Sequence, residues 1–182
     1  MTLLKTGIRI SLILVPGILA QGCESFKQVE ACDFETDAIE NFSKTNLQGV
    51  IQPGAKDADD WRVSPVYSQN VSVSPAFPNP ARISIIYLSL VIYNSAGETL
   101  TDLDIIAKDS NGNWVSLIPP LGRAKSTPGT GTWTLPVELS RLSAQGTLGS
   151  VAGLHRIYLV KYPMATDFCN DLISYGDIYI SP

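Results

Sequence analysis

The side chains able to carry out chemistry are few. His155 is the only histidine in 182 residues and lies in the run Leu154-His-Arg-Ile157, where a lone imidazole ordinarily has a structural role. A Ser-His-Asp triad would have to use it, and there is no Gly-x-Ser-x-Gly elbow to present a nucleophilic serine. A zinc site would have to draw on His155, Cys32, Cys169 and carboxylates, short of a usual ligand set. Gly129-Thr-Gly131 lacks the lysine and the strand-to-helix setting of a phosphate loop. Asp109-x-Asn111-x-Asn113 begins like a calcium loop, but Trp114 stands where that loop needs glycine and Pro120 where it needs a bidentate glutamate. A hairpin turn with Asn111-Gly112 at its tip fits better. Asp57, Asp59 and Asp60 read as a solvated acidic loop, and Asp102 with Asp104 is a carboxylate pair without any other glycosidase feature. The expectation is therefore no catalytic residue, no cofactor and no metal. Trp61, Trp114 and Trp133 remain as ligand-binding candidates, because exposed aromatic rings anchor sugars and proteins well. Most of the aromatic residues nevertheless fall at core-facing strand positions.

Cys23 has a different chemistry. It follows a basic n-region with Lys5 and Arg9 and an apolar run from Ile10 to Ala20, the length of a signal-peptide core and too short to span a bilayer. Ala20 and Gly22 stand three and one residues ahead of it. Leu19-Ala-Gln-Gly-Cys23 resembles a bacterial lipobox, which requires small residues so that the signal peptidase can approach the backbone. The resemblance implies removal of residues 1–22 and acylation of the Cys23 sulfur. Each buried methylene of the acyl chains contributes about 0.8 kcal/mol, so several chains make a durable membrane anchor. Glu24 is not the aspartate that retains lipoproteins at the inner membrane of enteric bacteria, so the resemblance favours the outer membrane.

With Cys23 acylated, Cys32 and Cys169 remain of the three cysteines. An exported protein meets an oxidising compartment, which favours a disulfide between them over two separate thiols. Such a bond would close most of the folded chain into one loop and stabilise it by roughly 4–5 kcal/mol in the chain-entropy view. After the leader, eleven basic residues face 17 acidic ones, a net charge of −6, with no basic cluster. Nucleic acid is thereby disfavoured as a partner.

The elements that must position these residues are strands. Residues 23–33 read as a tether and 34–182 as one domain. Residues 34–47 fit either a short helix or an edge strand. From Trp61 to Ser74 apolar and polar residues alternate with Pro65 among them, as in a half-buried strand. Ile83–Tyr93 is apolar at almost every position, too continuous for a face in water, and predicts a central strand. Asn94–Gly97 reads as a turn. Leu103–Ala107, Trp114–Ile118, Trp133–Val137, Leu154–Val160 and Leu172–Ile180 complete the pattern. A Pro/Gly loop is expected at 119–131 and a helical turn within 138–145. About seven or eight strands, with turn signals between them and no convincing long helix, predict an antiparallel β-sandwich.

Three pieces of the chain carry a family resemblance. Val73-Ser-Pro-Ala-Phe-Pro-Asn-Pro80, the Asp109-Ser-Asn-Gly112 turn, and Gly153 leading into Leu154-His-Arg-Ile-Tyr resemble the Pro-Asn-Pro start, hairpin and late strand of certain bacterial immunoglobulin-like domains. These are the C-terminal sorting domains of type IX secretion and the similar domain of flagellar hook-capping proteins. The resemblance covers roughly residues 70–181 and implies an immunoglobulin-like sandwich. It does not carry over the sorting role, since here the domain is nearly the whole mature chain and has its own anchor. The sequence thus points to a membrane-anchored envelope lipoprotein serving as a non-enzymatic protein-binding or structural module, with glycan binding through exposed aromatics as the alternative.

Overall fold

A computed structural model describes residues 32–35, 38–93, 100, 102–119, 130–162 and 168–182. Eight strands form two antiparallel sheets. They are β1 (Arg62–Val63), β2 (Val71–Val73), β3 (Ile85–Ile92), β4 (Leu103–Lys108), β5 (Trp114–Ser116), β6 (Gly131–Glu138), β7 (Gly153–Lys161) and β8 (Leu172–Ile180), with one short helix α1 (Phe168–Asp171). The five-stranded sheet has the order β1-β8-β7-β4-β5 and the three-stranded sheet the order β2-β3-β6. The expected all-β sandwich is the architecture. Cys23, the leader, most of the 23–33 tether, the Asn94–Gly97 turn and residues 120–129 lie outside the described residues.

The core follows from strand alternation. Ile86, Leu88, Leu90 and Ile92 of β3 and Leu135 and Val137 of β6 meet Ile105, Ala107, Ile157, Leu159, Ile173, Ile178 and Ile180 from the larger sheet. Leu139 and Leu142, from the 3-10 turn expected after β6, are fully buried against them. The Trp61–Ser74 segment is not one strand. Pro65 interrupts it, Tyr67 N donates to Ser64 O and Val71 N to Tyr67 O, and this turn sends β1 into the larger sheet and β2 into the smaller. Among residues 34–47, those described form neither a helix nor a strand; apart from an isolated bridge at Thr45 they are irregular.

Two positions hold the sandwich to close tolerances. Trp61 is 5 % exposed and adopts φ +61°, a left-handed conformation unfavourable for a bulky residue. That conformation lays its ring on Gly176, where an added Cβ would sit 2.1 Å from Trp61 Cε2. Asn79, the centre of the Pro-Asn-Pro segment, is fully buried. Its Nδ2 donates to Ser43 O and Asp177 O, each at 3.1 Å, and its Oδ1 accepts from Tyr179 N at 2.9 Å. Asn79 is thus a polar plug satisfied on every side. Two outcomes are expected in thermal or denaturant unfolding. Gly176→Ala should cost about 3 kcal/mol or more, since the Trp61 ring has no free space to move into. Asn79→Ala should cost roughly 2–4 kcal/mol by orphaning three buried backbone groups.

Candidate functional site

The structure places the sequence candidates in separate environments. Cys32 and Cys169, 137 positions apart in sequence, are joined as a disulfide, with Cα atoms 5.3 Å apart. Trp61 and Trp133 pack into the core between the sheets. Trp114 lies on the opposite, outer face of the five-stranded sheet, 5.4 Å from the Tyr158 ring and 5.8 Å from Phe168. The three tryptophans therefore share no groove. Lys108 Nζ stands 5.4 Å over the Trp114 ring, so that indole is already covered.

The potentially catalytic groups serve as structural ties. His155 Nε2–H donates to the Val151 carbonyl at 2.7 Å. Asp104 Oδ1 accepts from Ser116 Oγ at 2.6 Å and from its neighbour Ile105 N at 2.8 Å. Asp109 Oδ1 accepts from Asn111 N and Asn113 N, both at 2.8 Å, closing the expected hairpin turn; these bonds hold its carboxyl below the usual range. Asp57 is pushed up, first by its hydrogen bond with Asp59, while Asp60 turns inward. Among the described residues no three His, Cys, Asp or Glu side chains gather as a metal site.

The outer face of the five-stranded sheet is lined by Arg156, Tyr158, Tyr175, Asp177 and Tyr179, alternating with inward Ile157, Leu159, Gly176 and Ile178. It is covered by the chain's own described residues 32–35 and 38–45, which form a strap. Arg156 binds Asp177 through two bonds of 2.8 Å, donates to the Ala38 carbonyl at 2.8 Å, lies 3.8 Å from Glu35 and stacks over the Tyr175 ring. Burial works against the guanidinium's charge, but Asp177 outweighs it and the pKa rises. Tyr158 OH donates to Glu35 Oε1 at 2.8 Å, and burial pushes the phenol up. Phe34 packs on Tyr175, and Phe42 stacks on Tyr179 with ring centroids 5.5 Å apart. Asp60 fastens the far part of the strap: Oδ2 accepts from Ser43 N at 2.6 Å and Oδ1 from Asp177 N at 2.7 Å.

The smaller sheet has no such cover among the described residues. Ile83, Ile85 and Tyr87 are 50 %, 39 % and 41 % exposed. β3 is the central strand expected, yet the apolar run does present a face to water. Ser72, Ser89, Val91, Thr132, Thr134 and Pro136 extend that face by register, and Glu138, opposite Ile85, brings a carboxylate to one end of it, 3.9 Å from Arg141. Phe77 lies 5.8 Å from Tyr87. The Asn46–Val50 turn rests on Phe77, which a Cβ at Gly49 would meet at 3.0 Å, and leaves Leu47 and Val50 strongly exposed. Beside this face runs the outer edge of β6. Tyr87 exchanges both backbone bonds with Phe77 on its other side, so Pro136 opposite it directs its missing N–H outward, where no ladder bond is lost.

Comparison of the chain with protein-family models, curated proteins and solved structures finds no match. Among the described residues no helix is long and apolar enough to cross a membrane.

Burial raises the Asp60 carboxyl to about 6, against the pull of its two N–H donors. The native state therefore holds more protons than the unfolded chain between about pH 4 and pH 6, and stability falls as pH rises through that window. The fall should be on the order of 2–3 kcal/mol. Burial raises Asp177 too, against Arg156, and acts in the same direction. Denaturant midpoints measured across this range should decline, and Asp60→Asn should flatten the decline while lowering stability at acid pH.

Proposed function

We propose that this chain is a bacterial envelope lipoprotein, anchored through acylated Cys23 and favouring the outer membrane, whose β-sandwich is a non-enzymatic protein-binding or structural module. The observation that carries the binding role is the uncovered face of the smaller sheet, where Ile83, Ile85 and Tyr87 lie open beside Leu47 and Val50. The molecule covers the corresponding face of its larger sheet with its own strap. An apolar surface left open on one sheet, while the outer face of the other sheet is covered, marks a place for a partner. Uncharged side chains make up most of it, with Glu138 at one end, which suits a partner with a mostly uncharged, partly apolar patch. The acyl anchor would then act by concentration, confining the domain to one surface and converting encounters with neighbours there into near-intramolecular ones.

The glycan alternative draws less support. Trp61 and Trp133 point into the core and Trp114 lies under Lys108, so a sugar would have to rely on Tyr87 and Tyr93, which flank the hydroxyls of Ser72, Ser89, Thr132 and Thr134. A short hydrogen bond already joins Ser72 and Tyr93, and another joins Ser89 and Thr134.

Intact mass of the membrane-extracted protein tests the anchor. A chain beginning at Cys23 with added acyl mass, absent from Cys23→Ser, is expected; an unacylated chain would overturn it. Crosslinking in intact cells tests the face. Ile85→Ser with Tyr87→Ser should lose a crosslinked envelope protein at least tenfold while thermal stability changes little, because both side chains are already partly in water. Retention of every crosslink would refute that face as the docking surface.

A further inference from the structure

A second group of exposed apolar side chains lies at one end of the sandwich. Val66, Tyr93 and Tyr162 are 62 %, 58 % and 40 % exposed. Strand direction brings them together: Val66 is in the turn after β1, Tyr93 follows β3, and Tyr162 follows β7. Two hydrogen bonds tie this end together. Tyr67 OH donates to the Asn170 carbonyl of α1 at 2.7 Å, and Tyr93 N donates to the Asn70 carbonyl at 2.8 Å. Cys169 belongs to α1, so the disulfide fixes Cys32 at this same end. The Asp109–Asn113 turn lies at the other end.

Chain length then limits how the domain sits. Nine peptide steps separate Cys23 from Cys32, a reach of about 30 Å at full extension. The strands are nearly as long as that reach: the eight residues of β3 span about 26 Å. A tether leaving from the Cys32 end can bring the far end to the bilayer only if it is stretched along the whole domain. Tyrosine, with an apolar ring and a polar tip, is suited to the headgroup zone.

We propose that the Cys32–Cys169 end of the sandwich is held against the lipid headgroups of the anchoring membrane, with Val66, Tyr93 and Tyr162 meeting that surface. The disulfide fixes the orientation by determining where the short tether leaves the fold, and the Tyr87 face stays clear of the membrane. This inference rests on the acylation of Cys23 proposed above.

The test uses the full acylated protein in phosphatidylethanolamine–phosphatidylglycerol vesicles carrying a headgroup-linked acceptor. A donor fluorophore is introduced through a non-natural amino acid at Gln69, in the turn beside Val66, or at Asn111, in the far turn. Both positions are exposed. Transfer from Gln69 should exceed transfer from Asn111 about twofold or more, given the length of the strands between them. Inserting a flexible segment of about twelve Gly and Ser residues after Lys27, which leaves the disulfide and the fold untouched, should bring the two efficiencies close together. Equal transfer from both sites in the unaltered protein, or a difference that survives the insertion, would overturn the proposal. The first result would also leave Val66, Tyr93 and Tyr162 to a protein partner. Flotation of the protein with the vesicles, lost in Cys23→Ser, separately reports whether the anchor itself exists.

Discussion

Arg156 and Asp177 form a charged pair in the middle of a β-sheet face, and both side chains are about 4 % exposed. Removing two such charges from water is costly unless every remaining donor and acceptor is met. The strap supplies what the sheet cannot: the Ala38 carbonyl and Glu35 complete the guanidinium's surroundings, and Phe34 and Phe42 pack on the flanking Tyr175 and Tyr179. The rest of the molecule is arranged to hold that strap in place. The disulfide holds it at Cys32, Asp60 holds it at Ser43, and Asn79 joins Ser43 to β8. The Asp60 and Asn79 fastenings are themselves buried and polar, and each depends on the other for its dryness. Coupled ties of this kind specify one arrangement more than they add stability, because a half-satisfied network is worse than an apolar one.

The two sheets treat their outer faces in opposite ways. The five-stranded sheet buries its outer face under a segment that precedes the first strand. The three-stranded sheet leaves apolar side chains of β3 in water and ends in the β6 edge, where Pro136 removes one of the donors a pairing strand would need. One face is thus sealed by the chain itself, and the other stays exposed without inviting strand pairing. The sealed face, the exposed face and the disulfide end occupy three different sides of a small domain.

Much of the fold was legible because strands announce themselves through local pattern. Gly131–Glu138, Gly153–Lys161 and Leu172–Ile180 follow directly from β-branched and aromatic runs, the first two opened by glycine. The hairpin at Asn111-Gly112 was legible because its turn chemistry is local, and the disulfide because the expectation of an exported chain acylated at Cys23 leaves Cys32 and Cys169 to pair. Local pattern misled where the outcome depended on distant partners. The alternation from Trp61 to Ser74 reads as one strand, but Pro65 and the Tyr67 turn divide it between two sheets. The unbroken apolarity of Ile83–Tyr93 indicates burial on both sides, but among the described residues no second layer covers Ile85 and Tyr87. Their exposure, the feature that carries the binding proposal, could have been suspected only from a count of layers: two antiparallel sheets bury two faces between them and leave two outside.

The sequence by itself determined the class of fold and the positions of most strands and turns, because these depend on residue type and short-range period. Only the tertiary structure decided which outer face would be covered. The strap is irregular and polar, without a period that a sequence can display, and its role comes from residues more than a hundred positions away: Glu35 meets Tyr158, Ala38 meets Arg156, and Asp60 meets Asp177. Long-range satisfaction of buried polar groups leaves no local signature. It therefore had to be read from the folded chain.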